Sequence, residues 1–185
     1  MIPSLDQAIG LIERSLMPPH ILVHSIMVRR VALVLGASLV RRGSVLDLAL
    51  VEMAALLHDI SKMECVGTGR DHALMGQDFL SAHGYPLVGD VVGQHVRLRS
   101  MELNEAMVVN YADKRVMHDR VVSLDRRFVD LMARYGTDGA RRDRILLHHR
   151  DCARMEEIIL ERCDMDLDGL DSLNLIPVDK AFDGG

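Results

Sequence analysis

The stretch AALLHDISK, residues 54–62, ends an apolar run with two polar side chains, and the interpretation of the whole chain depends on it. Ala54 to Leu57 have the composition of a buried helix face, yet His58 and Asp59 follow without a break. An imidazole and a carboxylate next to a buried segment must be compensated by hydrogen bonds, opposite charges or a metal ion. The stretch therefore predicts a helix end that carries a histidine–aspartate pair with a specific partner.

The residues on either side of this stretch predict helices almost throughout the chain. LDLALVEMAALLHDI, residues 46–60, is apolar on most faces and is expected to form a central helix, capped by Ser44 or Asp47. β-branched alternation is absent, so no substantial sheet is expected. Apolar periods and their breakers predict the other helices at residues 4–17, 20–42, 71–83, 86–98, 138–163 and, continuing through a bend, 103–135. The predicted fold class is all-α, a single-domain helical bundle.

Composition and charge narrow the functional classes. The 185 residues suit one compact core, and the net charge of −5 argues weakly against a nucleic-acid backbone as the main partner. Cys65, Cys152 and Cys163 are odd in number and lack CxxC spacing, which predicts neither a disulfide framework nor a thiolate zinc site. No signal-peptide pattern is present, and no apolar run approaches the roughly 20 residues of a membrane helix. We expect a cytoplasmic protein without a membrane partner, and a homo-oligomer stays open.

Further histidines and an aspartate lie on apolar faces of other predicted helices. These residues are His24, His72, His95 and Asp113. Imidazole and carboxylate together suit zinc, iron, manganese, nickel or cobalt, and mixed shells with open positions are typical of catalytic metal sites. Taken singly, each has a plain alternative, because a lone histidine is more often a surface or hydrogen-bonded core residue, and Asp113 can pair with Lys114 or Arg115. Only convergence of these residues in space would favour a metal site.

Their order resembles the H…HD…D signature of the HD superfamily of metal-dependent phosphohydrolases. His24, the His58–Asp59 pair and Asp113 match that signature in order. LLHDISK is similar to the HDIG subgroup, with Ser61 in place of the usual glycine. The segments HALMGQDFL and VVGQHV resemble the two additional histidine segments of binuclear members, and YADKRV resembles the family's ADK segment.

The resemblance implies a division of the chain. An HD-type helical domain is expected over residues 1–136, with its motif-bearing core at 18–120. A C-terminal helix at 137–163 is expected to pack on this domain. Residues 164–185 form an acidic, glycine-containing tail that is expected to be loosely held.

The resemblance also implies a binuclear metal centre. His24, His58, Asp59 and Asp113 would hold the first of two divalent transition-metal ions, of iron, manganese, nickel, cobalt or zinc. His72 and His95 would hold the second ion, with Asp59 bridging the two. Many relatives carry a second histidine directly after the residue that corresponds to His95, whereas this chain has Val96, so the second site departs from the family pattern.

Phosphate contacts are expected from basic residues near this centre. Lys62 lies one turn beyond His58 in an arrangement that resembles the family's HDxxK segment, so Asp59 and Lys62 are the expected catalytic residues. The alternative for Lys62 is a solvated lysine at a helix end. Arg70, Arg97 and Arg115 are weaker candidates, which surface charge explains equally well. The implied substrate is a small phosphorylated molecule, most simply a nucleotide.

Three functions fit this ligand set. The first is a phosphohydrolase that cleaves a phosphomonoester or phosphodiester with a metal-activated hydroxide. The second is a di-iron oxygenase of the HD type, and the third is a nucleotide-sensing regulatory module without turnover.

The remaining polar residues of interest are assigned peripheral roles. His118 is five residues beyond Asp113, an offset of about 140° that makes it a poor partner for the same site. His148 and His149 lie among charges and are expected on a solvated helix face. Asn110 is expected to support the centre by hydrogen bonding, and His20 either supports it or caps a helix.

Overall fold

The computed structural model describes residues 1–166 and 168–175, which are mainly helical, as the sequence predicts. The all-α prediction is confirmed. The helices are α1 Leu5–Arg14, α2 Pro19–Arg41, α3 Leu48–Leu57, α4 Lys62–Cys65, α5 His72–Ala82, α6 Pro86–Val92, α7 Glu105–Lys114, α8 Leu124–Tyr135, α9 Gly139–Leu160 and α10 Asp168–Asp171. The short strands β1 Val116–Met117 and β2 Arg120–Val121 pair antiparallel, and a 3-10 turn covers Ser172–Leu175.

Side-chain caps set the starts of the helices that carry the core. The Asp47 carboxylate accepts hydrogen bonds from the amides of Ala49 and Leu50, so Asp47 rather than Ser44 begins α3. The Asn104 side chain accepts from the amide of Met107 and begins α7. Each cap satisfies backbone donors that a helix start leaves unpaired.

The core lies where α2, α3 and α7 meet. Helix α2 packs against α3 and α7, and α3 also contacts α6 and α7. Leu35, Leu56 and Tyr111 are fully buried at these contacts. Because α3 is enclosed by helices on several sides, the residues at its C-terminal end open into the interior rather than into solvent. The fold therefore directs His58 and Asp59 inward.

Helix α2 has the length and composition of a membrane-spanning segment, which the sequence interpretation did not anticipate. About half of its apolar window, 56%, is buried inside the fold. Its central residues Met27, Val31 and Leu35 belong to the core that α3 and α7 complete. A core helix that is enclosed in this way meets the same length and composition criteria as a membrane span.

The prediction of one helix over residues 103–135 is wrong. Helix α7 ends at Lys114, and a tight hairpin turns the chain before α8 begins at Leu124. His118 occupies the left-handed region with φ +58°, which a continuous helix excludes. The Arg115 carbonyl accepts from the amide of Val122, which closes the base of this hairpin.

Two further expectations about chain organisation differ from the structure. Helix α6 ends at Val92, not at 98, and the carbonyl of His95 is bonded instead to the Lys114 ammonium at 3.2 Å. The described part of the tail is docked rather than loosely held. Leu170 is fully buried, and the Asn174 side chain bonds both the amide and the carbonyl of Val121. Residues 176–185 of the predicted tail lie outside the described residues.

Candidate metal centre

The predicted ligands converge at the inner end of α3 in two adjoining groups. His24 from α2 meets His58 and Asp113, whereas Asp59 meets His72 and His95. Within each group the ligand atoms lie within 4.8 Å of one another. Residues from α2, α5, α7 and the segments after α3 and α6 therefore contribute to one buried location.

Asp59 lies between the two groups. Its Oδ2 is 3.4 Å from Nε2 of His58, and its Oδ1 is 3.3 Å from Nε2 of His72 and 3.6 Å from Nε2 of His95. One carboxylate oxygen thus faces each group. The side chain is only 2% exposed, so these neighbours determine its electrostatics. This position is the one that a bridging carboxylate requires.

Backbone carbonyls orient the imidazoles from behind. Nδ1 of His24 lies 3.0 Å from the carbonyl of His118, and Nδ1 of His58 lies 2.8 Å from that of Ala55. Nδ1 of His95 lies 2.7 Å from the carbonyl of Val92. A carbonyl only accepts, so each ring donates from Nδ1 and directs its Nε2 toward the interior. Metal-ligating histidines are held in this way.

The inward nitrogens form a donor set that a cation fits. Nε2 of His58 is fully buried and has no hydrogen-bond partner among the described residues. Nε2 of His72 and Nε2 of His95 face each other at 3.0 Å. Nε2 of His24 is 3.0 Å from Oδ1 of Asp113. Imidazole Nε2 atoms and carboxylate oxygens gathered in a buried site suit a divalent transition metal.

The pKa values show how strongly these groups interact. Burial alone would lower the pKa of His58, but the carboxylates of Asp59 and Asp113 outweigh it and raise this pKa to about 9. Burial lowers the pKa of His95 to about 4, so this ring is neutral at pH 7. The pKa of Asp59 lies well below its usual range, because contacts with the surrounding imidazoles overcome the opposing effect of burial. Burial also opposes ionisation of Asp113, but the Lys114 charge lowers the pKa of this carboxyl well below its usual range, so Asp59 and Asp113 are both ionised and able to hold cations.

Lys114 connects the two groups from the protein side. Its ammonium contacts Oδ2 of Asp113 and the carbonyl of His95, and its side chain is 6% exposed. Oδ1 of Asp113 remains directed at His24 and His58. Asp113 therefore pairs with Lys114 and also lies among the converging ligands, because its carboxylate uses a different oxygen for each contact.

A cavity of about 240 Å³ opens above Asp59 and His24. Helix α8 supplies part of its wall, including Arg127 and Arg134. Lys62 also lines it, with Nζ 2.6 Å from Oδ2 of Asp59. Burial opposes charging of Lys62, but the nearby Asp59 carboxylate raises its pKa, so the ammonium stays charged. Lys62, Arg127 and Arg134 thus give the cavity a cationic lining beside the Asp59 carboxylate.

The other basic residues proposed from the sequence lie elsewhere. Arg70 is exposed beyond α4 and does not line the cavity. Arg97 is exposed and lines a different cavity. Arg115 is buried, and its guanidinium donates to the carbonyl of Val122 and the hydroxyl of Tyr111. The interpretation of Arg115 as a phosphate contact is wrong, because its side chain stabilises the fold.

Residues that the sequence interpretation missed come from the hairpin and α8. The carbonyl of His118 orients His24, and the His118 ring lies 3.0 Å from Arg134. Nε of Arg127 is buried without a partner among the described residues, while its Nη1 pairs with Asp130 at 3.3 Å. The angular argument against His118 fails because the hairpin interrupts the helix on which it was based. A turn signal between Val116 and Val122 would have been needed to place these residues.

The two groups predict a number of metal ions per chain, which substitutions on helix α5 can test. We expect His72→Ala to lower bound metal from about two ions per chain to about one, because the group of His24, His58 and Asp113 keeps its donors. Mass-spectrometric metal analysis of protein purified without chelator measures this ratio. His83→Ala, which changes an exposed histidine at the end of the same helix, is the control. An unchanged ratio in His72→Ala would contradict the assignment of the second group.

Comparisons with known proteins identify one family. A family model described as HD domain matches residues 21–117, which include every candidate ligand. Searches of curated proteins and of solved structures found no match.

Proposed function

This chain belongs to the HD domain family, and on that basis we propose that it is a phosphohydrolase that cleaves a small phosphoester. The family implies a metal-dependent, hydrolase-type domain, and the donor groups fit the divalent metals that such domains bind. The segment LLHDISK favours the HDIG subgroup within this family.

The observation that carries the proposal is the position of the cationic cavity directly over the paired donor groups. Asp59 and His24 form its floor, and Lys62, Arg127 and Arg134 stand around it. A phosphoryl group that enters it would meet these three cationic side chains. Divalent ions held by the two groups would lower the pKa of a bound water and neutralise charge on the phosphoryl oxygens.

The protein's own groups would position the substrate. Lys62 is held at Asp59, so its ammonium stands at the boundary between the ligands and the cavity. Arg127 is fixed from one side by Asp130, which leaves its buried Nε for a phosphate oxygen. The cavity of about 240 Å³ has room for a phosphoryl group with a small neighbour such as a ribose. A nucleotide monoester or diester carries such a group.

Arg127 provides a test of substrate binding that is separate from metal binding. We expect Arg127→Met to raise KM for a phosphorylated substrate roughly tenfold, because one charge-assisted hydrogen bond is worth about 1.5–3 kcal/mol. Metal content is expected to stay unchanged. Arg126→Met alters the exposed neighbouring arginine and is the matched control. Equal KM values for the two variants would contradict a role for Arg127 in phosphate binding.

The decisive experiment combines metal analysis with a substrate panel. We expect about two transition-metal ions per chain and metal-dependent release of phosphate or opening of a phosphodiester. Metal-replete protein that hydrolyses no nucleotide or generic phosphoester would refute the proposal. Iron as the bound metal with turnover that requires dioxygen would replace it by the oxygenase. Nucleotide binding without turnover would replace it by the regulatory module.

We also propose that the enzyme works in the cytoplasm on a small phosphorylated substrate. Cys65, Cys152 and Cys163 are all free thiols in the described residues, and two of them are buried. Such thiols are typical of a reducing compartment.

A further inference from the structure

A second cavity, of about 410 Å³, lies between residues 96–101 and α9. None of the candidate metal ligands lines it. Its volume falls in the range of about 300–1,000 Å³ that is usual for small-molecule sites. The cavity is therefore a separate feature of the fold and is not used by the proposed phosphohydrolase chemistry.

Two residues that line this cavity carry buried polar atoms without hydrogen-bond partners. Asn110 is 1% exposed, and its Nδ2 donates to the carbonyl of Gln94 at 2.8 Å, which leaves Oδ1 as an acceptor without a donor. Nε2 of His148 on α9 is likewise unpaired among the described residues. Unpaired buried polar atoms are rare, and each one calls for a partner.

The expectation that His148 lies on a solvated helix face is wrong. The ring is half-buried and packs edge-on against Phe128 at 5.5 Å between centroids. Burial, together with the charge of Lys114, lowers its pKa to about 4. The ring is therefore neutral at pH 7 and is able to donate or accept a hydrogen bond.

The walls and the rim of the cavity differ in character. Met101 and Met155 contribute apolar wall, and methionine adapts readily to flat rings. Arg97 and Arg144 are exposed lining residues. Neither guanidinium forms a hydrogen bond or ion pair within residues 1–166 and 168–175, so both are available to an anion. The carboxylate of Asp151 also lines the cavity and accepts hydrogen bonds from hydroxyl groups.

We propose that this cavity binds a purine nucleotide at a site distinct from the metal centre. The base would lie against Met101 and Met155 and donate an N–H to Oδ1 of Asn110. The phosphates would pair with Arg97 and Arg144. This occupant matches the lining residues, since it combines a flat body bearing N–H donors with an anionic tail. A purely apolar ligand would leave Asn110 and both arginines without partners.

A nucleotide in this site would lie close to the second donor group, formed by Asp59, His72 and His95. The Asn110 amide holds the carbonyl of Gln94, the residue that precedes His95. The nucleotide would therefore contact the residue that fixes the chain next to a candidate metal ligand.

Calorimetric titration of the full chain, as purified, tests the proposal. The probes are α,β-methylene-ADP and its guanosine counterpart, whose bridging carbon resists cleavage between the phosphates. We expect a saturable site, separate from any binding at the metal centre that Lys62→Ala abolishes, and Arg97→Glu combined with Arg144→Glu is expected to weaken it at least tenfold. His148→Phe, which fills the cavity with an apolar ring, is also expected to weaken binding. Melting temperatures of the variants verify that they remain folded.

Variants of the metal centre separate the two sites. Lys62 and Arg127 line the other cavity, so Lys62→Ala and Arg127→Met are expected to leave the affinity of the second cavity for the probes unchanged. Binding that these variants abolish, but that the double arginine variant does not affect, would place the nucleotide at the metal centre and overturn the proposal. No saturable binding at millimolar probe would overturn it as well. Neither result decides whether the chain is a phosphohydrolase, because the metal analysis and the substrate panel test that activity separately.

Discussion

Asp59→Ala is expected to remove metal from both donor groups and to lower phosphohydrolase turnover more than about a hundredfold. The reason is that this side chain serves both groups at once. Its Oδ2 faces His58 and its Oδ1 faces His72 and His95. No other described carboxylate lies between the two groups, so neither group would keep a complete shell. Metal analysis and turnover measured on the same preparation check the result.

The substitution also changes the charge of the centre. The Asp59 carboxylate raises the pKa of His58 and of Lys62, so its removal leaves two cationic groups without their closest counter-charge. Proton release from these groups partly compensates for this loss. Asp59→Asn preserves the side-chain volume and therefore separates the loss of charge from a packing defect. We expect the asparagine variant to fold and to share the loss of metal.

Asp78→Asn is the matched control, because Asp78 is exposed on the helix that carries His72. Its metal content and turnover are expected to equal those of the unchanged protein. Full metal content in Asp59→Ala would contradict the bridging position. Full metal content with lost turnover would instead limit Asp59 to the chemical step.

The sequence predicts the parts of this fold that depend on local patterns. The helical class follows from apolar periodicity, and the cap at Asn104 follows from a residue type that accepts hydrogen bonds from helix amides. The inward direction of His58 and Asp59 follows from their place after a fully apolar helix. The ligands were recognisable in sequence because each lies on its own element, apart from the adjacent pair His58 and Asp59. That they converge is a result of tertiary packing and needed the structure.

The failures around α7, α8 and α9 share one physical cause, which is chain reversal over a few residues. The hairpin at residues 116–121 carries no glycine or proline, and His118 adopts a positive φ without either. The sequence interpretation therefore continued a helix through it and misplaced α8. As a consequence, Arg127 was missed, because its approach to the cavity depends on the direction in which α8 returns. Contacts between α7 and α9 were missing for the same reason, so His148 was taken as solvated.

The correction for Arg115 rests on a buried network between α7 and α9. Its side chain is 3% exposed, and Nη1 lies 2.8 Å from the Tyr111 hydroxyl and 3.5 Å from Oε2 of Glu156. The Tyr111 hydroxyl donates to the same Glu156 carboxylate. Burial raises the pKa of Tyr111, so the phenol stays neutral and keeps the proton that it donates. The Arg115 Nε also holds the Val122 carbonyl at the base of the hairpin.

Arg115→Met is therefore expected to lower the free energy of unfolding by about 3–5 kcal/mol, because it leaves the partly buried Glu156 carboxylate without its cation. For a chain of this size the melting temperature should fall by roughly 10 °C. Thermal unfolding, with Arg126→Met as an exposed control within about 0.5 kcal/mol of the unchanged protein, measures the difference. A stability effect without a change in KM is required if Arg115 holds α7, the hairpin and α9 together. Unchanged stability with a raised KM would return Arg115 to the role of a phosphate contact, which its buried hydrogen bonds argue against.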